Sequence, residues 1–194
     1  KVILQSIINS DDRNIFDVEE NINKDQYIKE TYIDNNLVNI NLSYVDDRFA
    51  KVLTKIISKI LFNYGARYIP RGEIAFNIIL EEAHRYVQND NDINVIWYNR
   101  FDRITKEGRK YGVLLTFLTQ RPNELSKTAL SQCANFIVFR IFHPSELEIV
   151  KTMSTNVSYE TLEQIKSLNP GSAFAFGTSF KIPVLINFQM PNPL

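Results

Sequence analysis

Two adjacent acids, Glu81 and Glu82, directly follow a short apolar run at residues 74–80. A run of this length, rich in β-branched and aromatic residues, is typical of a buried strand. Nucleotide hydrolysis needs one carboxylate that helps to hold magnesium and its water shell, and a second that orients or deprotonates the attacking water. Acids at a strand-to-helix junction also favour the N-terminus of a helix without any chemical role. The pattern alone leaves both interpretations open.

Gln120 comes just after a second buried run, residues 113–118, and is preceded by Thr119. Reactive groups in open α/β sheets cluster outside the carboxyl ends of the strands. A polar side chain at this strand tip could therefore sense the terminal phosphate of a nucleotide or position a water molecule. An ordinary turn set by Pro122 is the alternative interpretation.

Arg109 and Lys110 lie between these two runs, in a basic segment that closes at Gly112. An arginine in such a segment could reach a phosphate bound to a neighbouring subunit and stabilise charge in the transition state. A basic helix end more often only complements the helix dipole. The sequence pattern does not choose between these two roles.

Other side chains with chemical potential favour structural interpretations. Two histidines and one cysteine do not suffice for a typical zinc site. We expect His84 to make local hydrogen bonds at the start of a helix and Cys133 to pack in the interior. Three aromatic residues lie close together in the sequence, Trp97, Tyr98 and Phe101. They could stack on nucleic acid, but aromatic residues at this spacing more often form a core or a subunit contact.

The elements that position these residues begin with a strand and a long helix. Alternating residues at 37–42 predict the strand. Ser43, with Asp46 three residues later, predicts the start of the helix, and Gly65 its end. Helical spacing predicts a buried apolar face opposite a solvated row of lysines. The two faces are Phe49, Val52, Leu53, Ile56, Ile57, Ile60, Leu61 and Tyr64, and Lys51, Lys55 and Lys59.

The rest of the chain continues the alternation of helices and strands. Helical sequence spans about residues 93–110, and residues 136–141 predict a third buried strand. Two helices, the second capped by Ser158, a turn and a closing hairpin follow, at residues 145–153, 159–167, 169–171 and 173–188. This order predicts an α/β fold with a mostly parallel sheet flanked by helices and a C-terminal β-hairpin. We assign residues 37–194 to this core, and residues 1–36 to an irregular or helical segment before it.

Composition limits the function only weakly. Hydrophobic residues make up 44% and charged residues 23%, which is ordinary for a soluble protein. Lysine plus arginine (22) equals aspartate plus glutamate (22), so no overall basic field indicates nucleic acid, although a ring can concentrate basic groups in its pore. No apolar run approaches the roughly 18 residues of a membrane span. The single cysteine excludes an internal disulfide, so we expect a cytoplasmic protein without a membrane partner.

Taken in order, the motifs resemble the second half of the core of HerA-type ATPases, a family close to the FtsK translocases. They are IILEEAHRYV at residues 78–87 and RITKEGRKYGVLLTFLTQRPNELSKTALSQCANFIVFRI at residues 103–141. A looser similarity extends over residues 37–188, including NPGSAF in the closing hairpin. The resemblance implies a RecA-like P-loop NTPase core, ATP and Mg²⁺ as cofactors, and a homo-oligomeric, hexameric ring that acts on double-stranded DNA.

The resemblance also implies a role for each candidate residue. Glu81 matches the Walker B acid that engages magnesium, Glu82 the catalytic glutamate, and Gln120 a sensor-like glutamine. Arg109 matches an arginine finger that acts on a neighbouring subunit, and Lys110 is a second candidate for that role. The family usually has aspartate where Glu81 stands. The extra methylene moves the carboxylate by about one bond length, so contact with magnesium through a water molecule is easier to accept than direct contact.

A phosphate-binding loop of the form G-x-x-x-x-G-K-[ST] does not occur in the 194 residues. The backbone amides and the lysine of such a loop normally hold the phosphates. The resemblance therefore implies that the phosphate cradle lies before Lys1 and that this chain is the C-terminal half of the ATPase core. On this interpretation, the chain does not hydrolyse ATP by itself.

Three functional hypotheses follow from these residues and from the resemblance. The leading one is an ATP-driven DNA translocase or helicase that works with a nuclease or a sirtuin-type effector, in DNA-end processing or antiphage defence. The second is a ring scaffold that binds nucleotide without useful hydrolysis, to which Glu81 in place of aspartate would contribute. The third is a conjugative or secretion motor, which would need a membrane anchor upstream.

Overall fold

The computed structural model describes residues 23–88, 100–153 and 157–190. The chain divides into two compact units, one formed by Lys1–Ile78 and Gly108–Leu114 and the other by Ile79–Glu107 and Leu115–Leu194. The boundary between the units falls inside two strands. These two parts of the chain are called the first and the second unit below.

Within the described residues, the first elements of this unit are helix α1, Lys24–Ile28, and a π-helical turn, Lys29–Ile33. No regular secondary structure follows until Asp46, so the predicted strand at residues 37–42 is wrong. Leu37 is 82% exposed there. Alternation favours an extended backbone, but a strand also needs a hydrogen-bonded neighbour, and no strand among the described residues pairs with this segment.

Helix α2, Asp47–Arg67, starts and ends three and two residues later than the sequence predicts. Its cap is Asp46, not Ser43: the Asp46 carboxylate accepts hydrogen bonds from the amides of Arg48, at 3.0 Å, and Phe49, at 3.4 Å. Partial desolvation raises the pKa of Asp46, but these two hydrogen bonds and the Arg48 side chain outweigh it, so the pKa lies below its usual value. Gly65 does not end the helix but is buried inside it.

Burial along α2 follows its small residues more than its large apolar ones, which corrects the predicted buried face. Ile56 and Ile60 are 44% and 37% exposed. Lys51 and Lys55 are half-buried, so only Lys59 of the predicted solvated row is fully exposed. The buried positions of the helix are Ala50, Thr54, Ser58, Leu61, Phe62 and Gly65. The buried face therefore combines small residues with two large apolar ones, and at Gly65 the missing side chain lets the Tyr111 backbone approach closely.

Strands β1, Phe76–Leu80, and β2, Val113–Phe117, form a two-stranded sheet. The Phe76 amide donates to the Gly112 carbonyl at 2.8 Å, and the Leu118 amide donates to the Leu80 carbonyl at 3.0 Å. Both partners advance along the chain together, so the strands are parallel, as predicted. The expected burial of both faces is only partial within the described residues, because Ile79 is 55% exposed.

The connection from β1 to β2 contains helix α3, Arg100–Glu107, and a 3₁₀ turn, Gly108–Tyr111. It corresponds to the predicted helix at residues 93–110, of which residues 93–99 lie outside the described part of the chain. A helical crossover of this kind is the usual way to join neighbouring parallel strands.

The second unit contains an antiparallel sheet of three strands in the order β3–β4–β5. The strands are Asn135–Val138, Ser172–Gly177 and Val184–Asn187. Pairing of β4 with β5 confirms the predicted closing hairpin. The third predicted strand is shorter than expected and belongs to this sheet, because β3 pairs antiparallel with β4 and places Phe136 opposite Phe176.

Besides α3, the described residues of the second unit contain helices α4, Lys127–Ser131, α5, Pro144–Met153, and α6, Tyr159–Lys166. Ser158 caps α6, as predicted, because its hydroxyl accepts a hydrogen bond from the Thr161 amide at 3.2 Å. Apolar residues of α5 and α6 pack against the three-stranded sheet and form the core of the unit. This core consists of Val138, Leu147, Val150, Val157, Leu162, Ile165, Leu168, Phe174 and Phe176.

Candidate active site

Glu81 and Glu82 stand at the carboxyl end of β1, where the strand stops. Glu82 adopts a left-handed backbone conformation, with φ 50° and ψ 47°, and is the one non-glycine residue with positive φ in the part of the chain that the structure describes. Such a conformation costs a residue with a β-carbon roughly 1–2 kcal/mol. Strained backbone of this kind is concentrated at functional sites, where the surrounding structure maintains it.

Main-chain hydrogen bonds clamp the tips of β1 and β2 together. The Leu118 amide donates to the Leu80 carbonyl at 3.0 Å, and the Ala83 amide donates to the Leu118 carbonyl at 2.8 Å. Ala83 is fully buried, and the 3₁₀ turn Ala83–Arg85 begins there. The pairing therefore continues past both strand ends and carries the two acids to the tip that bears Gln120.

The candidate side chains at this edge face away from the packed interior. Glu81 and Gln120 are exposed, and the Glu82 side chain is 43% exposed. Within the described ranges, no side chain or backbone group forms a hydrogen bond or ion pair with the carboxylate of Glu81 or the amide of Gln120. Both groups are therefore available to a ligand at the edge of the sheet.

His84 connects the two strand tips. Its Nδ1 atom lies 3.0 Å from Thr119 Oγ1 and 3.3 Å from Glu82 Oε2. Its side chain is only 12% exposed. The Thr119 hydroxyl also accepts a hydrogen bond from the Arg121 amide at 3.0 Å. Sequence reasoning anticipated local hydrogen bonds for His84 but missed its contact with the next strand.

Arg109 and Lys110 lie in the first unit, on the 3₁₀ turn that precedes β2, whereas the acids and Gln120 lie in the second unit. Both side chains are exposed. The Lys110 ammonium lies 5.5 Å from the centroid of the Tyr111 ring, and the Arg71 guanidinium lies 5.6 Å from it. No described residue pairs with the Arg109 guanidinium. Of the two, Lys110 thus engages an aromatic ring within the described residues, whereas Arg109 does not engage a described side chain.

The remaining side chains that the sequence singled out have structural surroundings. Phe101 is fully buried, which supports the core interpretation for this residue, and Trp97 and Tyr98 lie outside the described residues. Burial raises the pKa of the Cys133 thiol, whose sulfur donates to the Ala129 carbonyl at 3.4 Å. Cys133 is half-buried, so the expected packing in the interior is only partial.

The described residues contain neither a cluster of metal ligands nor a membrane-spanning helix. No group of three or more histidine, cysteine, aspartate or glutamate side chains there is arranged to hold a metal ion. Nor is any helix in those ranges both long and apolar enough to cross a bilayer. The described side chains therefore do not form a complete metal site by themselves.

Comparison with known proteins relates this chain to a family. The chain is 36% identical to the DNA double-strand break repair helicase HerA of Saccharolobus solfataricus over 113 residues, which are 58% of the chain and 22% of that protein. It is 32% identical over 154 residues to HerA of Sulfolobus acidocaldarius, covering 77% of the chain and 31% of that protein. The chain is HerA-like.

A third relative, named a probable helicase, comes from Methanocaldococcus jannaschii. It is 32% identical over 154 residues, which are 79% of the chain and 28% of that protein. No protein-family model matches the chain. The HerA-like chain thus spans 22–31% of the length of these relatives.

Solved structures of a viral genome packaging NTPase, B204 of Sulfolobus turreted icosahedral virus 2, share the fold of the HerA-like chain. The complex with AMPPCP has a TM-score of 0.55 at 18% identity and covers 75% of this chain and 63% of that chain. The complex with ATP-gammaS has a TM-score of 0.55 at 19% identity, with coverages of 78% and 66%. The predicted P-loop NTPase fold class is confirmed.

Proposed function

We propose that this chain is part of an ATP-driven motor of the HerA type that moves along double-stranded DNA. One observation carries the proposal. Two acids at the end of β1 are clamped beside the glutamine-bearing tip of β2, with exposed carboxylates, in a chain similar to HerA helicases. Open α/β sheets bind ligands outside the carboxyl ends of their strands, which is where these residues lie.

Glu81 is the group that would engage Mg²⁺. Magnesium in phosphate-transfer sites takes only one or two carboxylates and completes its shell with water and substrate phosphates. The exposed Glu81 carboxylate fits this requirement, since no described residue occupies it. When bound, the ion neutralises charge on the phosphates. The longer side chain of glutamate suits contact through a water molecule.

Glu82 would orient the attacking water and accept its proton. A general base must lie within hydrogen-bonding reach of that water. The left-handed backbone of Glu82 directs the chain into the 3₁₀ turn directly after the strand tip, while its side chain remains 43% exposed. Gln120, on the neighbouring tip, would contact the terminal phosphate or the same water.

Arg109 would complete the site of a neighbouring subunit in a hexameric ring, with Lys110 as the second candidate. An arginine supplied in trans stabilises the charge that develops on the transferred phosphoryl group. The exposed guanidinium of Arg109 without a described partner supports this role better than Lys110, whose ammonium contacts Tyr111. A nuclease or a sirtuin-type effector would act with the ring, in DNA-end processing or antiphage defence in the cytoplasm.

The test is Glu82→Gln in the protein at its full natural length. We expect ATP hydrolysis to fall by about 10²–10⁴-fold, because the amide cannot accept the proton, while ATP still binds. Glu148→Gln is the matched control, since Glu148 is 73% exposed on α5 and lies 4.0 Å from Lys151; we expect it to hydrolyse ATP as the wild type does. Hydrolysis by Glu82→Gln within about twofold of wild type would remove Glu82 from this role.

The same assay separates the motor from the scaffold hypothesis. A motor hydrolyses ATP and responds to double-stranded DNA. A ring that binds nucleotide but shows no hydrolysis, with or without DNA, would be a scaffold, and Glu81→Asp would then be the substitution expected to restore hydrolysis.

A further inference from the structure

His84 lies between the proposed catalytic carboxylate and the tip of the neighbouring strand. Its Nδ1 atom is 3.3 Å from Glu82 Oε2 and 3.0 Å from Thr119 Oγ1. The ring is almost fully buried, at 12% exposure, so packing holds it in this place. One ring nitrogen thus faces a group on each of the two clamped strand ends.

The neighbours of Nδ1 indicate which atom carries the proton. If Nδ1 lacked a proton, its lone pair would face a carboxylate oxygen at 3.3 Å, which is repulsive. With the proton on Nδ1, the nitrogen donates to Thr119 Oγ1 and attracts Glu82 Oε2 at the same time. The Thr119 oxygen is in turn fixed by the Arg121 amide, which donates to it at 3.0 Å. These contacts form a continuous chain from the backbone of the β2 tip to the Glu82 carboxylate.

We propose that His84 is a positioning residue, held by Thr119, that orients Glu82 for hydrolysis and links its orientation to the tip of β2. The proposal rests on the proposed function, since it assigns His84 a role through the Glu82 carboxylate. Gln120, adjacent to Thr119, lies on the same tip. A shift of that tip when nucleotide binds therefore changes the position of Glu82 through His84, without any contact between His84 and the nucleotide.

The chain of contacts predicts an effect on turnover rather than on binding. His84→Ala removes the donor beside Glu82, so we expect kcat for ATP hydrolysis to fall about ten- to hundred-fold, as is usual when the partner of a reacting group is lost. The KM for ATP should remain within about twofold of wild type, because the His84 ring, at 12% exposure, leaves little surface for a nucleotide to contact. Thr119→Val, which keeps the shape of threonine but lacks the hydroxyl, should have the same effect.

Conservative variants distinguish positioning from a general structural role. The amide nitrogen of asparagine reaches nearly the place of Nδ1, so His84→Asn should recover most of the lost kcat. Thr119→Ser should likewise recover activity by restoring the hydroxyl. His84 and Thr119 act in one chain, so the double variant His84→Ala/Thr119→Val should lose no more than either single variant.

The experiment measures kcat, KM and the thermal unfolding midpoint for these variants at full natural length, together with Glu82→Gln. His143→Ala is the matched control, since Nδ1 of His143 also contacts a hydroxyl, Ser145 Oγ at 2.8 Å, outside the site; its kcat should equal that of wild type. A wild-type kcat for His84→Ala, or multiplicative losses in the double variant, would overturn the positioning role alone. Unchanged hydrolysis by Glu82→Gln would instead overturn the proposed function, and the positioning role with it.

Discussion

Glu82 combines the proposed chemistry with a backbone conformation that lowers stability. A residue with a β-carbon is strained at φ 50°, ψ 47°, and hydrogen bonds on both sides, from the Ala83 amide to the Leu118 carbonyl and from the Arg85 amide to the Glu82 carbonyl, help to hold it there. Strain of this kind is retained where the side chain is needed and lost where it is not. The conformation is therefore independent support for a functional role of Glu82.

Glu82→Gly should raise stability while it removes hydrolysis. Glycine adopts positive φ without strain, whereas Glu82→Ala loses the carboxylate but keeps the β-carbon and the strain. We expect the glycine variant to be more stable than the alanine variant by about 1 kcal/mol, measured as a higher midpoint of thermal or chemical unfolding. Equal midpoints would show that the left-handed conformation carries no strain.

At this scale, the strand ends could be predicted but the contact between them could not. The positions of Glu81, Glu82 and Gln120 follow from the end of each apolar run, because polar residues take over where a buried strand stops. Contact between His84 and Thr119 depends on the pairing of β1 with β2, over 35 positions of sequence separation. The signal that was available is a histidine just after the strand-end acids together with a hydroxyl residue at the next strand end.

Helix α2 packs closely against the start of β2 because Gly65 has no side chain. A β-carbon on Gly65 would lie 2.6 Å from the Tyr111 carbonyl oxygen and 3.1 Å from Val113 Cγ2. Backbone cannot yield to such an overlap as a flexible side chain does. Beside it, the rings of Phe62 and Tyr111 meet edge to face, with centroids 5.3 Å apart. The glycine allows the close approach on which this packing depends.

Gly65→Ala should therefore destabilise the protein although alanine favours helices. The propensity gain of about 1 kcal/mol is opposed by overpacking that costs roughly 1–3 kcal/mol, so we expect a lower unfolding midpoint. Asn63→Ala is the control on the same helix, since Asn63 is exposed and its substitution changes propensity without overlap. A midpoint for Gly65→Ala as high as that of the control would mean that the β2 backbone moves away freely.

The differences between predicted and observed elements have physical causes. Residues 37–42 have the alternation of a strand, but strands exist only in pairs and the pattern says nothing about a partner. Along α2, helical spacing predicts the helix but overestimates the burial of Ile56 and Ile60, because the covered side is the one that carries Ala50 and Gly65. Glycine is common both at helix ends and where a neighbouring backbone approaches closely. The sequence alone does not distinguish these two roles at Gly65.

On the scale of the whole molecule, the HerA-like chain divides its candidate residues between two units. Arg109 belongs to the first unit, and Glu81, Glu82 and Gln120 to the second. In the proposed ring, one subunit supplies the acids and the neighbouring subunit supplies the arginine. The resemblance to HerA-type ATPases could be read from the motifs. Antiparallel pairing of β3 with β4 could not, since the period of an apolar run does not reveal the direction of its neighbour.

Mixing two inactive variants tests whether sites are shared between subunits. Arg109→Ala and Glu82→Gln should each abolish hydrolysis alone. In rings assembled from equal amounts of both, about one interface in four combines an intact Glu82 with an intact Arg109, since each position is filled independently. We expect recovery of up to about a quarter of wild-type hydrolysis. Absence of recovery in rings shown to contain both variants would place Arg109 and Glu82 in the same subunit's site, or Arg109 outside it.

The main-chain bonds between the β1 and β2 tips have a practical consequence for redesign. The Ala83–Leu118 and Leu118–Leu80 bonds involve no side chain of the candidate site. Side chains at positions 81, 82 and 120 can therefore be exchanged while the scaffold keeps its geometry. Libraries randomised at these positions would therefore sample alternative reactivities on one backbone scaffold.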